Sequence, residues 1–117
     1  MPALMFVANR VFDQKKFWSG YAAQSTKLVS RYGGKYRVLC GESEVLEGES
    51  DCQGAAVIVV EWPDMETARR FWNSPEYAEI KKLRAGISHV RAWLVDATWL
   101  SEEEGNQLIA DSLNALG

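Results

Sequence analysis

Histidine, cysteine and proline are scarce in this sequence of 117 residues, which contains one His, two Cys and three Pro. Cys40 and Cys52 form no CxxC pair, and no histidine lies near either of them in the sequence. Structural zinc sites are built from clusters of Cys and His, and disulfide frameworks need several paired cysteines. The sequence therefore predicts two free thiols, no disulfide and no metal site.

Nucleotide-binding and hydrolase motifs are also missing. No GxGxxG, P-loop, GxSxG or HExxH pattern occurs in the chain. Their absence removes the commonest nucleotide-dependent and hydrolytic mechanisms from first consideration. We therefore expect no cofactor, and either a cofactor-independent reaction or simple binding.

Long apolar runs and clusters of like charge are absent as well. No apolar run approaches the ~20 residues that span a bilayer, and the first residues lack the pattern of a signal peptide. Thirteen Lys and Arg and sixteen Asp and Glu are interspersed, giving a net charge of −3 with no basic block. Nucleic-acid binding needs a clustered positive surface. We expect a cytoplasmic protein whose partners include neither nucleic acid nor membranes.

The apolar residues that are present follow the periods of strands and helices. Alternating or continuous apolar runs predict strands, whereas apolar residues spaced by three and four predict helices. Capping signals set the helix starts at Asp13, Asp64, Ser74 and Ser101. The predicted strands span residues 3–11, 35–40 continuing at 44–47, 55–62 and 88–97; helices span 13–32, 64–72, 74–85 and the C-terminal segment, and 48–54 is a loop.

The order of these elements is β-α-β-β-α-β followed by a helix, which is the split βαβ arrangement of ferredoxin-like α+β domains with an antiparallel sheet. The sequence thus predicts one ferredoxin-like domain over residues 1–97 and a helical extension over residues 98–117. At this length a single hydrophobic core is the usual solution.

Two of the predicted strands are apolar on both faces, which indicates a homodimer. Residues 4–8 and 55–60 place apolar side chains at both alternating sets of positions. Two helices cover only one face of such a sheet, and monomers rarely expose a large apolar patch. Either the sheet of an identical chain, closing a dimeric α/β barrel, or the C-terminal helix must cover the second face; we favour the identical chain.

Several short motifs resemble one known family. They are Arg31-Tyr32-Gly33-Gly34, Glu44 to Gly48, Val57 to Pro63, and Ser74-Pro75-Glu76-Tyr77 with Ile80 and Arg84. Their order and spacing across residues 3–97 resemble the family known as domain of unknown function 1330. The resemblance implies the dimeric α/β barrel fold of muconolactone isomerases and antibiotic-biosynthesis monooxygenases. Where that family commonly has Gly-Gly after the second strand, this chain has Cys40-Gly41.

In such folds a cavity often lies between the helices and the sheet, lined by aromatic side chains and a few polar groups. Arg84 matches the family motif and is expected to hold a carboxylate, although its charge also suits a helix C-terminus or an ion pair with Glu76 or Glu79. Ser74 and Tyr77 equally fit a helix cap and a core aromatic residue. The predicted substrate-binding residues are Arg84, Asn9, Tyr32, Trp72, Ser74, Tyr77 and Trp93.

Two residues are candidates for moving a proton. His89 is the only histidine, and an imidazole titrates near neutral pH. Glu61 ends an apolar strand and is a candidate for a buried carboxylate with a raised pKa. The plainer interpretation is that both residues lie at strand ends and meet solvent. His89 and Glu61 are nevertheless the predicted catalytic residues.

Two functions fit these features. The first is a homodimeric small-molecule-binding protein that acts on a small hydrophobic or aromatic acid, as a cofactor-independent isomerase, lyase or monooxygenase. The second is a non-enzymatic accessory or regulatory dimer whose pocket is filled by its own side chains. The high tryptophan content favours the first, and the absence of a close acid and base pair in the sequence favours the second.

Overall fold

The protein forms a four-stranded antiparallel sheet with helices packed on one face. The structure, a computed structural model, describes residues 1–48, 53–97 and 99–117. Its strands are β1 (Ala3–Val11), β2 (Lys35–Glu42), β3 (Ala56–Trp62) and β4 (Ser88–Asp96), arranged in the order β2-β3-β1-β4. Every pairing is antiparallel. The predicted ferredoxin-like α+β fold is confirmed.

The first helix is continuous from residue 14 to residue 31 but changes its winding. It consists of α1 (Gln14–Lys16), a π-helical segment (Phe17–Ala22) and α2 (Ala23–Arg31). The Asp13 side chain accepts a hydrogen bond from the Lys16 amide and caps its start. After the last helical residue, Arg31, the chain turns at Gly33, whose φ of 91° is accessible to glycine without strain. The predicted limits are confirmed, whereas the π-helical winding was not predicted.

The second group of helices follows β3. It comprises α3 (Met65–Trp72), α4 (Pro75–Lys81) and a 3-10 turn (Lys82–Arg84), and the C-terminal helix is α5 (Glu102–Ala115). Asp64, Ser74 and Ser101 cap the three α-helices with their side chains. Ser101 and Glu104 form the predicted capping box. These helix starts are therefore confirmed.

One predicted strand segment is wrong. Residues 44–47 contain no regular secondary structure, and β2 ends at Glu42. Register shifts interrupt the pairing of β2 with β3 twice, and Cys40 has a φ of 56° that turns the chain out of the extended conformation. Residues 49–52 of the predicted 48–54 loop, which include Cys52, lie outside the described residues.

The core lies between the helices and one face of the sheet. Side chains at alternate positions of β1 and β3 are buried there, among them Met5, Val60 and Trp62, and pack on α2, α3 and α4. Trp62 contacts Phe71 with ring centroids 5.0 Å apart. A side chain at Gly34 would come within 3.0 Å of the Trp62 ring and 2.7 Å of Val29, so this approach requires glycine.

The opposite face of the sheet carries no helix of the described chain. It presents Phe6 and Ala8 of β1, Val57 and Val59 of β3, and Trp93 and Val95 of β4. The Trp93 and Val95 side chains are 51% and 44% exposed. Apart from partly exposed Gly105, every residue of α5 is exposed, so this helix does not cover that face. We call this surface the open face.

Candidate functional site

A cleft lies where the start of the first helix passes over one end of the sheet. Its volume is ≈ 470 Å³. The wall towards the helix consists of Phe12, Phe17 and Trp18, and the strands contribute Asn9, Arg10, Cys40 and Ala56. The cleft therefore combines aromatic side chains with a lining that is mostly polar.

Asn9 forms the floor of this cleft. Strand alternation turns its side chain to the helix side of β1, as it does for Met5, and only 2% of the residue is exposed. Its Oδ1 is buried and has no hydrogen-bond partner among the described residues. Buried polar atoms in proteins are nearly always paired. The unpaired oxygen of this cleft-lining residue is therefore an exception among buried polar atoms.

The π-helical segment gives the cleft its aromatic wall. Phe17 is buried, while Trp18 stays partly exposed and meets Phe17 edge to face at 5.8 Å between ring centroids. The indole Nε1 of Trp18 donates to Gln14 Oε1 at 3.1 Å, which fixes the orientation of the ring. Single π-helical turns occur frequently at functional sites, because the wider winding displaces side chains from their α-helical positions.

Cys40 borders the cleft in a conformation that favours glycine. Its φ of 56° lies in the left-handed region, which is costly for a residue with a side chain. Burial raises the pKa of the Cys40 thiol. The thiol is therefore protonated and a weak nucleophile near neutral pH.

A second, smaller cavity of ≈ 40 Å³ continues from Asn9 into the space between helices and sheet. It has room for about one water molecule but not for an aromatic ring. The Tyr21 and Tyr77 hydroxyls, on opposite sides of the helical layer, form a hydrogen bond of 2.7 Å. The inner cavity, as we call it, is lined by Asn9, Tyr21, Ser25, Tyr36, Trp72 and Tyr77.

Arg84 lies against this tyrosine pair. Its guanidinium carbon is 5.6 Å from the centroid of the Tyr21 ring. The Nε atom of Arg84 is buried and has no hydrogen-bond partner within the described chain. Burial is the main cause that raises the pKa of Tyr21, followed by Tyr77, and Arg84 partly opposes them. Tyr21 therefore keeps its proton at neutral pH.

The buried Tyr36 is expected to make the free energy of unfolding fall as the pH becomes alkaline. Burial raises the pKa of Tyr36 to about 12, and the nearby Ser25 hydroxyl opposes the shift. An unfolded tyrosine has a pKa of about 10. Because the folded state holds this proton more tightly, its contribution to stability is complete below about pH 10 and is lost progressively as the pH rises towards about 12.

We therefore predict that Tyr36→Phe reduces the loss of stability at alkaline pH. Urea unfolding of both proteins between pH 9 and pH 11.5 measures it. The free energy of unfolding of the wild type should fall more steeply over this interval than that of Tyr36→Phe. Equal slopes for the two proteins would show that Tyr36 ionises as readily in the folded state as in the unfolded chain.

The structure brings together part of the predicted binding set. Asn9, Trp72 and Tyr77 line the inner cavity, and Arg84 lies beside it. The Ser74 hydroxyl accepts from the Tyr77 amide and donates to the Phe71 carbonyl, so its groups are committed to capping α4. Tyr32 packs on Phe71, and its hydroxyl lies 3.4 Å from Glu76. Neither Ser74 nor Tyr32 lines the cleft or the inner cavity.

The two predicted catalytic residues and Trp93 lie elsewhere. Glu61 is paired with Arg37 at 2.9 Å on the open face. His89 pairs in register with Arg10 and shares its side of β4 with Trp93, and Trp93 borders a groove on the open face. None of the three lines the cleft or the inner cavity. The catalytic roles of His89 and Glu61 stay predictions.

Sequence reasoning missed most of the residues that line the site. Among them are Arg10, Phe17 and Trp18 of the cleft, and Tyr21 and Tyr36 of the inner cavity. The run Phe17-Trp18-Ser19-Gly20-Tyr21 carried a usable signal, because glycine and serine within a helix weaken regular α-helical winding. Among the described residues, no group of three or more His, Cys, Asp or Glu is placed to hold a metal ion.

No helix of the described chain is long and apolar enough to cross a membrane. A search of curated proteins finds no match. Solved structures do match. A protein of unknown function from Rhodopseudomonas palustris is 19% identical with a TM-score of 0.69, and the alignment covers 85% of this chain and 84% of that one.

Two further structures have the same fold. SnoaB, a cofactor-independent oxygenase from Streptomyces nogalater, is 17% identical with a TM-score of 0.62, over 86% of this chain and 97% of that chain. A dimeric ferredoxin-like protein of unknown function from Jannaschia sp. CCS1 is 9% identical with a TM-score of 0.62, over 83% and 100%.

The family resemblance predicted from the motifs is confirmed by a match to a family model. The matched region contains the whole sheet, the cleft and the inner cavity, and it ends before α5. The chain belongs, over residues 2–98, to the family described as domain of unknown function DUF1330.

Proposed function

We propose that this protein is a homodimer that binds a small hydrophobic or aromatic acid in the cleft beneath the π-helical segment. The cleft itself carries the proposal, because it offers ≈ 470 Å³ with walls formed by Phe12, Phe17 and Trp18. Ligand sites of a few hundred Å³ combine aromatic side chains with polar groups that fix the orientation of the ligand. An aromatic ring fits this surface by stacking or edge contacts.

The charges around the cleft favour an acid. Arg10 is the one charged side chain among the described residues that line it. Arg84, next to Tyr21, keeps a buried Nε–H donor without a partner in the described chain. A carboxylate is the acceptor that arginine binds best. The ligand would therefore present its ring to the aromatic wall and its acid group to an arginine.

The open face supports the homodimer. Phe6, Ala8, Val57 and Trp93 border a shallow apolar groove of ≈ 270 Å³ on it. Four strands about 4.8 Å apart and about eight residues long give a face of roughly 500 Å². Burying this area on two partners reaches about 1,000 Å², the lower limit of a specific interface. Because α5 leaves the face uncovered, a second copy is the simplest cover.

The proposal also includes catalysis: a cofactor-independent reaction of the isomerase, lyase or monooxygenase type. The likeness to a cofactor-independent oxygenase supports it. Among the described residues that line the cleft, none is a carboxylate or an imidazole, so a reaction there would depend on the acidity of the substrate itself. His89 and Glu61 would face the partner sheet in the homodimer. The proposed cytoplasmic location rests on sequence pattern alone.

A non-enzymatic accessory or regulatory dimer is the second candidate function. The observation that favours it is the small inner cavity, where tyrosine and tryptophan side chains fill most of the space. Such a protein would use its surface and would need no small molecule. Binding measurements separate the two candidates.

We predict that small aromatic carboxylates stabilise the protein against heat. A ligand at 100 times its dissociation constant adds ~2.7 kcal/mol to the free energy of unfolding. A thermal-shift screen with aromatic and aliphatic acids therefore tests the proposal. Arg84→Ala should weaken the binding of any acid found by about 1 to 3 kcal/mol, because it removes a charge-assisted contact.

Lys82→Ala is the matched control for Arg84→Ala. It removes the same charge two residues away, and Lys82 is exposed and paired with Glu79 at 3.0 Å. Binding by this variant should equal that of the wild type. Equal affinity of Arg84→Ala and wild type would discard the anchoring role of Arg84. No stabilisation by any acid of a broad panel would favour the accessory dimer.

A further inference from the structure

Asn9 places an unpaired hydrogen-bond acceptor at the bottom of the cleft. The residue is 2% exposed, and its Oδ1 is one of three buried side-chain atoms of the described chain without a partner, beside Trp62 Nε1 and Arg84 Nε. Trp62 lies in the core, whereas Asn9 lines both the cleft and the inner cavity. An acceptor that is buried and unpaired is destabilising unless something donates to it.

Several polar groups near Asn9 have partners within the described chain. The Trp18 indole N–H donates to Gln14, and the Gln53 side-chain oxygen accepts from the Val45 amide. The Ser25 hydroxyl of the inner cavity points to the Ala22 carbonyl at 3.4 Å. The Tyr21 and Tyr77 hydroxyls bond to each other. A bound molecule with an O–H or N–H group would supply the donor that Asn9 Oδ1 lacks within the described chain.

The two unpaired atoms near the site have opposite requirements. Asn9 Oδ1 needs a donor, and Arg84 Nε needs an acceptor. Tyr21 lies between the two environments, because it lines the inner cavity with Asn9 and carries Arg84 over its ring. An O–H or N–H group of a ligand would meet the requirement of Asn9, and a carboxylate is the acceptor that suits an arginine.

We infer that the ligand is a ring-hydroxylated aromatic acid whose hydroxyl donates its hydrogen bond to Asn9 Oδ1. This inference rests on the proposed function and adds the substrate class to it. The aromatic wall contributes contact with any aromatic ring, whereas Asn9 selects among rings by the presence of a donor. Asn9 is thus a specificity-determining residue.

Titration calorimetry with matched ligands tests the inference. The probes are the three hydroxybenzoate isomers, the methyl ether of each, and benzoate. The best hydroxybenzoate should bind the wild type at least about tenfold more tightly than its methyl ether, which keeps the ring and the oxygen but cannot donate. It should exceed benzoate by a similar factor.

Asn9→Leu removes the acceptor with little change in volume. Its preference for the hydroxybenzoate over the methyl ether should fall to within about twofold. Its thermal stability without ligand should equal or exceed that of the wild type, because the unpaired buried atom is gone. Asn106→Leu makes the same substitution on the exposed surface of α5 and should keep the preference of the wild type.

The outcomes separate this inference from the proposed function. If no benzoate of the series binds, the proposed function fails and the inference with it. If hydroxybenzoates and their ethers bind equally well, acid binding stands and the role of Asn9 is overturned. A preference that persists in Asn9→Leu also overturns the assignment to Asn9.

Discussion

Replacing Val59 by glutamate is expected to convert the protein from a dimer to a monomer. Val59 lies in the centre of the sheet, paired with Phe6 of β1 and with Val38 of β2. In a homodimer closed across the open face, the substitution introduces one carboxylate from each copy into an apolar interface. An unpaired buried charge costs several kcal/mol, so we expect dissociation to rise by at least about a thousandfold.

The fold of the monomer should survive this change. Val59 points away from the core that contains Val60 and Trp62, and glutamate on a partly exposed strand position costs little by itself. Far-UV circular dichroism of Val59→Glu should therefore match that of the wild type. Leu83→Glu is the control, since Leu83 is exposed on the helical side and far from the open face.

Light scattering after size-exclusion chromatography gives the mass of each protein at several micromolar concentrations. The wild type and Leu83→Glu should show the dimeric mass, and folded Val59→Glu the monomeric mass. A dimeric mass for Val59→Glu would place the interface elsewhere. A monomeric wild type would remove the homodimer from the proposal.

Trp62→Ala is expected to destabilise the protein by about 3 to 5 kcal/mol, because truncating a buried aromatic residue removes apolar burial and leaves a cavity. Trp62 is 1% exposed and contacts Phe71 at 5.0 Å between ring centroids. Gly34 lies close to its ring, and a Cβ at that position would come within 3.0 Å of Trp62. A loss of this size is a large fraction of the stability of a small domain.

Trp62→Phe separates the ring from its polar atom. The Nε1–H of Trp62 is buried without a partner in the described chain, so removing it relieves a desolvation cost while most of the ring contacts remain. We expect a loss of less than about 1.5 kcal/mol. Urea unfolding at one fixed protein concentration measures both variants. A loss below about 1 kcal/mol for Trp62→Ala would show that this tryptophan is not central to the core.

The fold was predictable because its signals are local. Asp13, Asp64 and Ser101 each placed a helix start correctly, since a capping side chain acts on an amide three residues away. The continuous apolar run that ends at Trp62 predicted β3. The segment 44–47 was predicted wrongly as a continuation of the second strand. The turn at Cys40 depends on contacts between β2 and β3 that a local sequence pattern does not show.

The site was only partly predictable. Asn9 is the predicted site residue that lines both the cleft and the inner cavity. His89 and Glu61 have suitable chemistry, yet strand alternation turns both to the open face, away from the cleft. Trp18 and Tyr21 are not among the predicted site residues, because the π-helical winding of Phe17–Ala22 was not predicted from the sequence.

The proposal that the cleft beneath the π-helical segment binds an aromatic acid is tested most directly by nuclear magnetic resonance. The chain has five tryptophans, so its indole N–H signals are few enough to assign individually. During titration of ¹⁵N-labelled protein with benzoate and the hydroxybenzoates to millimolar concentration, the Trp18 indole and the Asn9 side-chain amide should shift, while Trp99 should not. Shifts confined to Trp93 or Trp99, or no shift at all, would contradict the proposal.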